Sequence, residues 1–119
     1  MMRLKFILIV FCLIFISIVS FPQAKIKSFQ AKNFIGKKVI VSGVVAQISA
    51  TNTGAIKLNI GERFRLNELT AIINKSDISN FNNIIQYAGR TVEINGTITG
   101  TKGSPQIILK SNVQIKVMN

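Results

Sequence analysis

From Lys38 onward the chain alternates between aliphatic and polar residues with a period of two, the pattern of half-buried strands. Residues 38–50 read as one long strand of β-branched residues, ended by the loop Thr51-Asn52-Thr53-Gly54. A second strand follows at residues 55–60, with Ile56, Leu58 and Ile60 on one face and Lys57 and Asn59 on the other. Gly61 and Glu62 interrupt it, and residues 64–74 predict a third strand with Leu69, Ala71 and Ile73 inward. The period then lengthens. Ile78, Phe81, Ile84, Ile85 and Ala88 recur at helical spacing, with Ser76 or Asp77 to cap the first turn and Gly89 to close the last. Residues 91–99 and 106–110 return to strand character on either side of a Gly-Ser-Pro turn. A last alternating piece points Val113, Ile115 and Val117 one way and Gln114 and Lys116 the other.

Two of these strands share one pattern. Gly36, Lys37, Val39, Val41, Gly43 and Val45 recur as Gly89, Arg90, Val92, Ile94, Gly96 and Ile98. Gly96 falls in register between Ile94 and Ile98 on the apolar face, and Gly43 between Val41 and Val45. A glycine there weakens packing, and a sharp bend between two nearly orthogonal parts of a closed barrel gives it a reason. Three strands, a helix and two strands predict an all-β fold with one helix, a five-stranded OB-fold Greek-key barrel in the order β-β-β-α-β-β.

The same residues carry a resemblance. GKKVIVSGVV (residues 36–45), GAIKLNIG (54–61) and GSPQIIL (103–109) together resemble small bacterial secreted OB-fold domains classed as nucleic-acid-binding. The resemblance covers nearly all of the chain after about Ala31 and implies a nucleic-acid ligand. The chain departs from it at Thr101, where such domains often carry an aromatic residue before the Lys-Gly-x-Pro-Gln stretch. Stacked aromatics supply much of sequence-tolerant single-strand affinity. Phe64, between Arg63 and Arg65, is the best candidate for a replacement ring, although simple alternation puts it on the face opposite both arginines.

The first residues read differently. Arg3 and Lys5 precede an apolar run at residues 6–19, broken only by Ser17, which is the pattern of a secretory signal. The run is shorter than the roughly 20 residues that span a bilayer comfortably. Residues 1–24 are therefore expected to be a signal helix, cut after Ser20 or Ala24, or retained as an inner-membrane anchor, the chain's one expected membrane contact. Residues 25–35 follow as a polar lead-in with a short helical turn, and residues 36–119 as the barrel. The expected location is the bacterial periplasm or the medium.

Composition then narrows the chemistry. The 119 residues include no His and one Cys, Cys12, which lies within the leader. The four carboxylates, Glu62, Glu68, Asp77 and Glu93, fall in different segments. Neither an acid–base pair nor a metal site is expected, and no cofactor, so the chain does not read as an enzyme. Charge points to a binding role. Removing Arg3 and Lys5 with the leader leaves 13 basic residues against four acidic ones, about +9, which attracts polyanions. An abundance of Lys, Asn and Ile offers a compositional source for part of that charge.

On an OB barrel the usual ligand surface is the face of the second and third strands between the first–second and fourth–fifth loops. In this sequence that selects Lys57, Asn59, Arg63, Arg65, Lys102 and Gln106, beside the loop at residues 51–54. Lys37, Lys38 and Arg90 are expected on the other side, serving solubility. The expected partner is single-stranded DNA or RNA held through phosphates; an anionic glycan or anionic lipid fits the charge equally, and an envelope protein docked on the barrel face or a sheet edge is the rival reading. The double substitution Arg63→Ala with Arg65→Ala is predicted to weaken oligonucleotide binding while leaving the melting temperature nearly unchanged, read by titration and a thermal melt.

Overall fold

The two-residue period folds as strands. A computed structural model describes residues 23–62 and 67–118. The signal helix expected at the N-terminus, Arg63, Phe64 and Arg65 lie outside the described residues. The strands are β1 (Ala24–Lys27), β2 (Lys38–Ala50), β3 (Ile56–Gly61), β4 (Leu69–Ile73), β5 (Thr91–Thr101), β6 (Ser104–Ile108) and β7 (Ile115–Val117). Their inward residues make one core: Val39, Val41 and Val45 from β2, Leu58 and Ile60 from β3, Leu69, Ala71 and Ile73 from β4, Val92, Ile94 and Ile98 from β5, and Ile107 from β6.

The order β1-β2-β3-β4-β6-β5-β7 has a further pairing of β2 with β5. That pairing closes β2, β3, β4, β6 and β5 into a ring, with β4 parallel to β6 and the other ring neighbours antiparallel. This is the expected five-stranded OB barrel, and closure leaves its strands without free edges. Both long strands change partners along their length. On β2, Lys38–Val44 pairs with β5 and Val44–Ala50 with β3, with a bulge between Val45 and Gln47. On β5, residues 91–97 pair with β2 and residues 98–101 with β6.

The repeated pattern has a geometric meaning that sequence alone did not show. β2 and β5 pair antiparallel about Val41↔Ile94, so Gly43 faces Val92 and Val39 faces Gly96. The two segments are related by a local two-fold axis, and equivalent residues make equivalent hydrogen bonds. Gly36 N–H donates to the Ile98 carbonyl at 2.7 Å, and its counterpart Gly89 N–H to Val45 at 2.8 Å. Ile98 N–H donates to Lys37 at 3.0 Å, and Val45 N–H to Arg90 at 3.0 Å. Gly36 and Gly89 hold φ of +82° and +72°, a region L-residues rarely adopt. Each strand changes partner directly after its inward glycine, as a bend requires. Gly43 has a second reason to be small. A Cβ there would stand 2.6 Å from Ile60 Cγ2 and 2.9 Å from Ser28 Oγ.

That contact with Ser28 corrects the expected lead-in. Residues 25–35 belong to the packed structure. β1 pairs parallel with β2 along Ala24↔Val39 to Lys27↔Ser42. Ile26 is buried, and the 3₁₀ turn Ser28–Asn33 buries Ser28 and Ala31 completely while touching β2, β3, β4 and β6. The packed structure therefore includes residues ahead of the expected domain start at Gly36.

The expected helix is also corrected. Between β4 and β5 the chain forms two short 3₁₀ turns, Lys75–Asn80 and Ile84–Tyr87. Phe81 (φ −117°, ψ 136°) and Asn83 (φ −157°, ψ 96°) are extended, so no helix runs through them. Asn80, Asn82 and Asn83 crowd this point, and asparagine competes for backbone hydrogen bonds and disfavours helix interiors. Asn80 Nδ2 instead donates to the Lys110 carbonyl at 2.9 Å. Phe81 and Tyr87 are buried, whereas Ile85 is 76% exposed. A smaller correction falls at the C-terminus. Val113 sits in the turn Asn112–Gln114 and is 87% exposed, and Ile115 alone of the expected triplet is buried.

Two predictions follow from this packing. Gly43→Ala must displace the buried Ile60 and Ser28, a loss of about 1–3 kcal/mol in urea unfolding. Ser28→Ala should be neutral or stabilising in the same assay, because Ser28 Oγ is buried with no hydrogen-bond partner among the described residues. Burial pushes the Tyr87 phenol above its ordinary value. As the chain has a single tyrosine, phenolate absorbance reports this group alone, and its midpoint should rise above about 10 when folded and return there in denaturant. Stability from this group is full below about pH 10 and is lost as pH rises through the folded value.

Candidate nucleic-acid interface

Outward-facing residues at one level of the barrel form a transverse polar row. The ladders join Gln47 to Asn59, Asn59 to Thr70, Thr70 to Gln106 and Gln106 to Thr99. With strands roughly 4.8 Å apart, the row is about 19 Å wide. It is held laterally: Asn59 Nδ2 donates to Gln47 Oε1 at 3.3 Å, and Thr99 Oγ1 to the Gln106 carbonyl at 3.3 Å. Asn59 and Gln106, two of the six residues singled out by sequence, are thus brought together through Thr70. Thr70 was not anticipated, because the β4–β6 pairing that inserts it joins segments far apart in the chain.

The two predicted lysines lie on opposite sides of this row. From Asn59 to Lys57 the direction matches Thr70 to Ile72 and Gln106 to Ile108, whereas Lys102 lies in the β5–β6 turn, the other way. Some six residue levels separate them, roughly 20 Å of strand. Lys57 and Lys102 are both exposed, and they bracket the polar row without forming a cluster. Arg63 and Arg65 lie outside the described residues.

On the Lys57 side the surface combines cations with apolar groups. Lys57 pairs with Ile72, and Ile72 with Ile108, both isoleucines half-buried and facing outward. The neighbouring loop is tightened by Thr51, whose Oγ1 accepts from Ala55 N–H at 3.1 Å, and the Lys75 side chain lies against Gly54. Around the barrel, a groove of about 480 Å³ shares Thr99 and Ile108 with this surface and adds Lys38 and Lys110. Among the described residues no carboxylate side chain lines it. Lys38, expected to face elsewhere, is placed here by its pairing with Thr97. Its contribution was hidden because closure of the ring decides which strand follows β6.

The Lys102 side carries mixed charge. A cleft of about 420 Å³ lies between the Ser28–Asn33 turn, the β3–β4 connection and the β5–β6 turn. Phe29, Lys32 and Lys102 line it together with Glu62 and Glu68. Glu62 N–H donates to Glu68 Oε1 at 2.8 Å, which fixes one carboxylate at the cleft wall. Among the described residues no group of three His, Cys, Asp or Glu side chains is placed to hold a metal ion.

No family model matches the chain, and no curated protein matches it in sequence. Solved structures do match it in shape. An OBody, AM1L10, bound to hen egg-white lysozyme superposes with a TM-score of 0.55 at 16% identity, over 85% of this chain and 99% of that one. An aspartyl-tRNA synthetase from Leishmania major Friedlin superposes at 0.52 with 10% identity, over 85% of this chain and 22% of that one. At these identities the likeness establishes the OB fold.

Proposed function

We propose that this chain is an exported binding protein whose OB barrel holds single-stranded nucleic acid, DNA in the first instance, mainly through its phosphates. The observation that carries this reading is the charge arrangement on the barrel: an uncharged polar row bracketed by Lys57 and Lys102 and continued into a groove with Lys38 and Lys110 and, among the described residues, no carboxylate side chain. Amide and hydroxyl groups on the row accept and donate to base edges without regard to sequence, while the lysines act as point charges for the backbone. The outward Ile72 and Ile108 offer an apolar contact for a base face. RNA fits the same surface, and its 2′-hydroxyl adds a group the polar row is able to bind.

Export rests on the leader-like pattern at residues 1–24. The start of β1 favours one of the two cut positions. A cut after Ser20 leaves β1 whole, whereas a cut after Ala24 removes the residue that pairs with Val39. The protein is then a periplasmic or secreted binder.

If Lys38, Lys57, Lys102 and Lys110 each neutralise one phosphate of a single strand, affinity should fall roughly 50-fold between about 50 and 200 mM salt. Fluorescence titration of a labelled oligonucleotide measures this. Binding that is flat across that range removes the phosphate reading and turns attention to an envelope protein or glycan.

A further inference from the structure

We infer that the N-terminal turn supplies the aromatic platform that the described barrel strands lack, with Phe29 stacking one unpaired base of the bound strand and Lys32 holding its phosphate. The inference rests on the nucleic-acid reading above and extends it to a site outside the barrel face.

The argument starts from the turn's period. In a 3₁₀ turn, residues three apart fall on one stripe. Ser28 and Ala31 form the stripe that packs on the barrel, both fully buried. Their register forces Phe29 and Lys32 onto a shared stripe, and both line the cleft. The turn is held in place by its contact with Gly43 and by Gln30 Oε1, which accepts from Lys27 N–H at 2.9 Å. Phe29 is consequently held 51% exposed, a large ring kept in water by a fixed backbone. Such a ring offers a stacking face at little further ordering cost.

The opposite wall matches a nucleotide. Lys102 and Gly103 of the β5–β6 turn and Pro105 face the cleft, and its volume of about 420 Å³ lies in the range of small-ligand sites. Lys102 lines this cleft and stands on the cleft's side of the polar row, so a strand that crosses the row toward the β5–β6 turn arrives at Phe29. Glu62 and Glu68 also face the cleft. Both repel phosphate, and the exposed Glu62 carboxylate is free to accept from an exocyclic amine, which orients the base inward and the backbone toward Lys32 and Lys102.

The test compares an ordinary single-stranded oligonucleotide with an abasic one of equal length, using wild-type protein, Phe29→Ala and Phe29→Trp. Phe29→Ala should lose about fivefold or more on the ordinary strand and nothing on the abasic strand, with its melting temperature unchanged. The chain has no tryptophan, so the fluorescence of Phe29→Trp reports this position alone and should be quenched by the ordinary strand only. Equal affinity of wild type and Phe29→Ala on the ordinary strand overturns the inference, as does equal loss on both strands or unquenched Phe29→Trp fluorescence. Wild-type protein that binds neither oligonucleotide overturns the nucleic-acid reading itself, a result distinct from the other three.

Discussion

Closure of the barrel depends on one antiparallel ladder, β2 on β5. Without it the remaining pairings make an open sheet from β2 through β3, β4 and β6 to β5, with two free edges and a core exposed along one side. The ladder works because both strands present the same sequence pattern to each other about Val41 and Ile94. Each inward glycine faces a valine of its partner, and the positive-φ Gly36 and Gly89 each donate an amide hydrogen bond across to the other strand. A local two-fold axis lets one solution to the packing problem serve twice. Gly43 adds a second restriction, since the space a side chain would fill is taken by Ser28 and Ile60.

That occupied space links the core to the candidate binding surface. The Ser28–Asn33 turn reaches the barrel through Ser28 and Ala31, and its register sets which residues face outward. The same contact that completes the core therefore fixes Phe29 and Lys32 at the cleft. On the far side of the polar row, ladder pairing performs the equivalent task for Lys57, Ile72 and Ile108. Charge is distributed accordingly. Carboxylates Glu62 and Glu68 stand near the N-terminal turn, while the Lys38 and Lys110 groove has none among the described residues.

The connection between β4 and β5 shows how local chemistry overrides a hydrophobic period. Ile78, Phe81, Ile84 and Ile85 have helical spacing, yet two short turns suffice to bury Phe81 and Tyr87 and to pack Ile78 and Ile84 against the core, leaving Ile85 outside. Asparagines at 80, 82 and 83 make a continuous helix costly, and Asn80 gains a partner on Lys110 by leaving it. The apolar period was real, but its residues are used one at a time. Val113 gives the same lesson at the other end of the chain, where a turn exposes a residue that alternation would bury.

The sequence by itself determined the five ring strands, their inward faces and the barrel class, because a period of two and glycine punctuation are local properties that survive in any context. It also determined the chemistry on offer: lysines, amides and hydroxyls, with no histidine and few acids. Asn59 and Gln106 were legible as outward residues on neighbouring parts of a face. What only tertiary structure decided is adjacency between distant segments. Thr70 joins Asn59 to Gln106, Lys38 joins the cationic groove, and Lys57 and Lys102 stand apart, since all three depend on ring closure and the parallel β4–β6 pairing. The outward ring of Phe29 was equally hidden. Its exposure follows from which stripe of a short turn meets Gly43, a contact between residues 28 and 43 that no local pattern encodes.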